Sequence, residues 1–121
     1  MIKTISVVSV PVKDQNKALE FYTRKLGLEI ITDQPFENGQ RWIELGIPGA
    51  KTHLALYTPK GQESRIGTFS NIGFSCVDAE KTYKELKDKG VKFAHVPKKE
   101  PWGTFTVLLD PDGNQFSLSS K

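Results

Sequence analysis

The sequence has 121 residues, enough for one compact domain and too few for separate catalytic and regulatory domains. Hydrophobic residues make up 37% and charged residues 26%, the balance of a soluble globular protein, and the lone cysteine, Cys76, excludes an intramolecular disulfide or a paired-cysteine metal site. A net charge of +3, dispersed with no run of basic residues longer than Lys98-Lys99, argues against nucleic-acid binding.

The amino terminus, Met1 to Val12, alternates and has too short an apolar run for a spanning helix or a signal-peptide core. It predicts a strand over Ile5–Val12 in a cytoplasmic protein with no membrane partner. Asp14 then sits as a helix N-cap before a stretch with Ala18, Leu19, Tyr22 and Leu26 on one stripe, and Gly27 sits as its left-handed stop. Three strands follow, Leu28–Thr32, Gln40–Leu45 and His53–Thr58, with Pro48-Gly49 turning between the last two. The polar, Pro- and Gly-containing stretch at about 59–68 reads as a linker. Beyond it the same order recurs roughly 64 residues later. A strand over Asn71–Val77 leads to the cap Asp78, a helix with Ala79, Tyr83 and Leu86, and Gly90. Strands Val91–Ala94, Thr104–Leu109 and Gln115–Ser119 complete it, the last two joined by Pro111-Asp112-Gly113. The reading is a single domain, 1–121, with one module at about 1–58 and a second at about 69–121.

Side chains of a strand alternate between faces, so each strand divides into two sets. One is bulky and apolar: Val8, Val10, Val12, Ile43, Leu45, Leu54, Leu56, Ile72, Phe74, Cys76, Phe105, Val107, Leu109, Phe116 and Leu118. This set is expected to carry the helices. The other is small, polar and aromatic, with Trp42, Glu44, His53, Ala55, Tyr57, Asn71, Gly73, Thr104, Thr106, Gln115 and Ser117. A solvated outer face and a ligand-holding concave face both fit that composition.

The runs Val12-Lys13-Asp14, Phe21-Tyr22, Leu26-Gly27-Leu28, Asn71-Ile72-Gly73-Phe74 and Asp110-Pro111-Asp112-Gly113-Asn114 span the chain. With them the sequence resembles the vicinal oxygen chelate superfamily of glyoxalase I, bleomycin-resistance proteins, fosfomycin-resistance enzymes and extradiol dioxygenases. The resemblance implies an α+β fold in which two paired βαβββ modules form a curled mixed sheet, a cup, usually in a homodimer. It also implies a divalent-metal site on the inward residues of the first and last strands of each module. Here those positions fall on Val7, Ala55, Asn71 and Ser117, none of them His, Glu or Asp. Such a set supplies two neutral oxygens at most, and the neighbouring positions are no better. No metal or other cofactor is therefore expected, which argues against the metal-dependent chemistries of the superfamily.

Without a metal, His53 and Glu44 are the candidate catalytic pair, on adjacent strands and the same face, where a carboxylate could orient an imidazole. A surface cross-strand pair is the other reading. His95 is expected in a rim loop, and Cys76 as a small buried thiol. Trp42 and Trp102 occupy equivalent places in the two modules and either clamp a flat ligand or pack at an interface, with Arg41 or Lys99 placed to attract an acidic group. The expected function is a metal-independent protein holding a small, partly aromatic ligand in the cup, with Trp42, Glu44, His53, Tyr57, Asn71, Trp102, Gln115 and Ser117 as ligand contacts. The alternative is a glyoxalase-like lyase, isomerase or dioxygenase acting on a small metabolite.

Overall fold

Each half of the chain builds a strand, an aspartate-capped helix and a set of antiparallel strands around its own mixed sheet. The computed structural model describes residues 1–121, in which Met1–Ile66 and Gly67–Lys121 form two compact units. The boundary lies inside the polar stretch at 59–68. The chain is α+β, with sheets of four and five strands.

The first unit contains β1 (Val7–Pro11), α1 (Gln15–Glu20), β2 (Glu29–Pro35), β3 (Arg41–Gly46) and β4 (His53–Tyr57). The strand order is β1-β4-β3-β2, with β1 parallel to β4 and the other pairs antiparallel. Asp14 caps α1 by accepting from the Lys17 amide at 3.0 Å. The helix runs on into a wider π turn over Phe21–Lys25, closed by the Leu26 amide donating to the Phe21 carbonyl at 3.3 Å, and Gly27 ends it at φ 77°. Gln15 fastens the start of the helix across two strands. Its amide nitrogen donates to the carbonyls of Arg41 and Leu56 at 2.7 and 2.9 Å, and its oxygen accepts from the Arg41 amide at 3.0 Å. Ala18, Phe21 and Tyr22 are buried on the helix, as are Val10, Ile43, Leu45, Leu54 and Leu56 on the sheet.

The second unit contains β5 (Phe69–Ser75), α2 (Ala79–Asp88), β6 (Lys92–Phe93), β7 (Lys98–Glu100), β8 (Gly103–Leu109) and β9 (Gln115–Ser120). β5 runs parallel to β9, β9 antiparallel to β8, and both β6 and β7 pair with β8. Asp78 caps α2 through the Lys81 amide at 3.1 Å, Gly90 ends it at φ 91°, and the Ala79 amide donates to the Ser120 hydroxyl at 2.9 Å. The turn before β9 closes on the buried Asp110 carboxylate. It accepts from the amides of Asp112 and Asn114 at 2.9 Å each, and from the Asn114 side chain at 2.8 Å. Asn114 in turn accepts from the Gly67 amide at 2.8 Å. The Asp-Pro-Asp-Gly-Asn run is thus a hydrogen-bonded turn, as its composition indicates.

One expectation needs correction, and one strand is added. The segment Lys98–Glu100, to which the sequence assigned no element, is strand β7, because hairpin pairing with β8 overrides the weak strand preference of two lysines and a glutamate. The faces of β8 are reversed. Thr106 pairs with Leu118 and Leu108 with Phe116 on the helix side, whereas Phe105, Val107 and Leu109 pair with Ser119, Ser117 and Gln115 on the opposite, open face. Periodicity misleads here because Phe105-Thr106-Val107-Leu108-Leu109 is apolar on both parities. Thr106 is fully buried at no polar cost, since its hydroxyl donates to the His95 carbonyl at 2.7 Å.

Candidate functional site

On the open face of the first sheet, β3 contributes Trp42 and Glu44, and β4 contributes His53, Ala55 and Tyr57. Glu44 lies directly across from Ala55, so His53 is its diagonal rather than its opposite neighbour. The diagonal is short enough to bond: His53 Nδ1 and Glu44 Oε1 are 3.0 Å apart. The other carboxylate oxygen accepts from the Trp42 indole N–H at 2.6 Å. The Trp42 bond, followed by the His53 bond, holds the Glu44 carboxyl below the ordinary carboxylate range against the opposing effect of burial. Phe36 leans on the Trp42 ring, with centroids 5.6 Å apart.

Ile31 completes this surface and was not singled out from sequence. The β2–β3 register shifts between Ile30 and Thr32, and the bulge lays Ile31 over Gly46, where a Cβ would sit 2.9 Å from its Cδ1 and 3.6 Å from His53 Cδ2. The adjacent pair Ile30-Ile31 in an otherwise alternating strand is the one local sign of that bulge. Arg41 is already engaged: its guanidinium pairs with Asp33 at 2.9 Å and donates to Asn16. The Asp33 hydrogen bond raises its pKa, and the arginine is not free to attract an acidic ligand.

The open face of the second sheet carries Gln115, Ser117 and Ser119 from β9 beside Phe105, Val107 and Leu109 from β8. Trp102, in the β7–β8 turn and largely exposed, stacks on Phe105 with centroids 5.6 Å apart and planes at 29°. His95 meets the same ring edge-on at 5.5 Å. The cluster of Trp102, Phe105 and His95 escaped the sequence reading because the parity of β8 was inverted there. Ser117 lies over Gly73, where a Cβ would come within 2.7 Å of its hydroxyl oxygen. Asn71 stands apart from the ladder, exposed and at φ 62°, inside the register shift between Phe69 and Gly73. Lys99 pairs with Glu80 of α2 at 3.7 Å, on the helix side of the sheet. Beside Trp102 an open cavity of about 580 Å³ is lined by Ser75, Cys76, Val77, Ser119, Ser120 and Lys121. Cys76, only part-buried, donates weakly to the Ser119 carbonyl at 3.6 Å.

Trp42, Glu44, His53 and Tyr57 therefore belong to the first unit, and Asn71, Trp102, Gln115 and Ser117 to the second. Of these, Trp42, Glu44 and His53 are joined by hydrogen bonds. Val7 pairs with His53 and Ser9 with Ala55, so Val7 and Ala55 lie on one face and carry no donor atom for a metal. No three His, Cys, Asp or Glu side chains gather closely enough to hold one.

A family model described as "Glyoxalase/Bleomycin resistance protein/Dioxygenase superfamily" matches residues 4–118. The chain is 39% identical to the uncharacterized protein YetH of Bacillus subtilis (strain 168), over 98% of both chains. Among solved structures it is similar to a member of the same superfamily from Sphaerobacter thermophilus DSM 20745, with TM-score 0.91 and 35% identity over 99% of this chain and 98% of that one. It is also similar to TnmS3, an antibiotic binding protein from Streptomyces sp. CB03234, with TM-score 0.85 and 32% identity over 98% and 96% of the two chains.

Proposed function

Because the chain belongs to the glyoxalase/bleomycin resistance protein/dioxygenase superfamily, we propose that it is a binding protein that holds a small, partly aromatic molecule against an open sheet face without a metal. The observation that carries this reading is the first unit's aromatic and polar surface, in which Trp42 is held edge-on to Glu44 and His53 is held beside it. A fixed aromatic next to an oriented polar group is the usual composition of a small-molecule site. The similarity to an antibiotic binding protein at 32% identity supports it. Metal independence rests on donor chemistry. Val7 and Ala55 have no donor atom, and Asn71 and Ser117 offer only neutral oxygens. Tyr57 is a further proposed contact on the same face, Asn71, Trp102, Gln115 and Ser117 are proposed ligand contacts of the second unit taken by itself, and a homodimer in the cytoplasm belongs to the same reading.

A thermal-shift screen with planar aromatic and acidic metabolites tests it. A ligand at about 100 times its Kd stabilises the native state by about 2.7 kcal/mol, which for this length raises Tm by on the order of 10 °C. Trp42→Ala should remove most of that shift while leaving the ligand-free Tm within a few degrees. One tightly held divalent ion per chain, found by elemental analysis of protein purified without chelator, would overturn the metal-free reading.

The enzyme reading is favoured by one observation, the 3.0 Å contact that orients the His53 ring on a carboxylate, as a general base needs. It requires a discovered substrate whose turnover is abolished in His53→Ala at unchanged Tm.

A further inference from the structure

The hydrogen bonds around Glu44 determine which nitrogen of His53 carries the proton. Both carboxylate oxygens are occupied by donors, Oε2 by the Trp42 indole N–H at 2.6 Å and Oε1 by His53 at 3.0 Å. An ionised carboxylate only accepts, and the depressed pKa of Glu44 keeps it ionised at neutral pH. Nδ1 is therefore the protonated nitrogen of the neutral ring, and Nε2 presents a bare lone pair. Nε2 has no protein partner, and the side chain retains 28% of its accessibility. The ring's Cδ2 edge, next to Nε2, faces the bare backbone of Gly46, where a Cβ would come within 3.6 Å of Cδ2.

We propose that His53 Nε2 is the hydrogen-bond acceptor of the binding site and selects planar ligands that carry a hydroxyl donor on the ring, a phenol or an enol, over ligands with the oxygen capped. Trp42 supplies the aromatic contact, and Glu44 is a positioning residue that sets the tautomer. This assignment rests on the proposed binding of aromatic ligands at this face and adds the ligand class. A site with a buried or half-buried acceptor discriminates strongly against an analogue that cannot donate to it, because the acceptor is then left unpaired.

The test uses a matched pair, 7-hydroxycoumarin and 7-methoxycoumarin, titrated at neutral pH into the wild-type chain and into His53→Phe and His53→Ala, with Tm recorded for each. His53→Phe keeps an aromatic ring of similar breadth while removing both nitrogens, and with them the bond to Glu44. The wild type should bind the hydroxyl compound about tenfold more tightly than the methyl ether, a difference of about 1.4 kcal/mol. Both variants should bind the two compounds within twofold of each other, with the affinity for the ether unchanged in His53→Phe. Equal binding of both compounds by the wild type, or a preference that survives in both variants, overturns the assignment of Nε2 and leaves aromatic binding standing. Failure of the wild type to bind either compound overturns both this assignment and the aromatic-binding reading on which it rests.

Discussion

Glu44 joins two donors from different residues, Trp42 and His53, and this gives it a measurable signature. Its pKa is lower in the folded chain than in the unfolded one, chiefly through the Trp42 bond, so the folded state binds the proton less readily. The stabilisation is present above the ordinary carboxylate pKa and is lost as pH falls through the folded value. Urea unfolding between about pH 6 and about pH 3 should therefore show a larger loss of stability in the wild type than in Glu44→Gln. Matching pH profiles would mean that the carboxylate is not held as described. The shared face of Trp42, Glu44 and His53 was legible in the sequence because strands β3 and β4 alternate without interruption. Ile31, Phe36 and Phe105 were not. Ile31 depends on a bulge, Phe36 lies beyond the end of its strand, and Phe105 lies on a strand apolar on both sides.

The secondary-structure elements show the same division. Helix boundaries were readable because caps are local chemistry: Asp14 and Asp78 each bond an amide three residues on, and Gly27 and Gly90 both adopt positive φ. The hairpin of β7 and β8 was not readable, since it depends on pairing across Trp102 rather than on strand propensity. Gly103 opens β8 at φ 151°, and a Cβ there would sit 2.2 Å from the Ser120 carbonyl oxygen. Gly103→Ala should destabilise the chain by on the order of 2 kcal/mol in denaturant titration and disturb the Trp102 fluorescence, because the turn must shift to relieve the clash. Asp110→Ala should cost more, roughly 3 kcal/mol, because it leaves the amides of Asp112 and Asn114 without their acceptor at a buried site. An exposed turn of ordinary strength would instead lose under 1 kcal/mol.

Across the full chain the charge is small and dispersed, +3 over 121 residues, and several cations are already paired, Arg41 with Asp33 and Lys99 with Glu80. Duplex DNA should show no measurable binding at about 0.15 M salt in an anisotropy titration, since few phosphates could be neutralised. A salt-sensitive complex at that ionic strength would contradict this. The repeated order of strand, helix and strands, the caps, the Asp110 turn and the lack of metal donors at Val7 and Ala55 were all settled by residue identity and short-range spacing. They involve groups a few residues apart, or the bare chemistry of a side chain. The facing of Phe105, the placing of Ile31 over Gly46, and the departure of Asn71 from its ladder emerge only when strands pair. Each follows a register or a bulge, and a shift of one residue there exchanges the two faces of a strand, which alternation within one strand does not reveal.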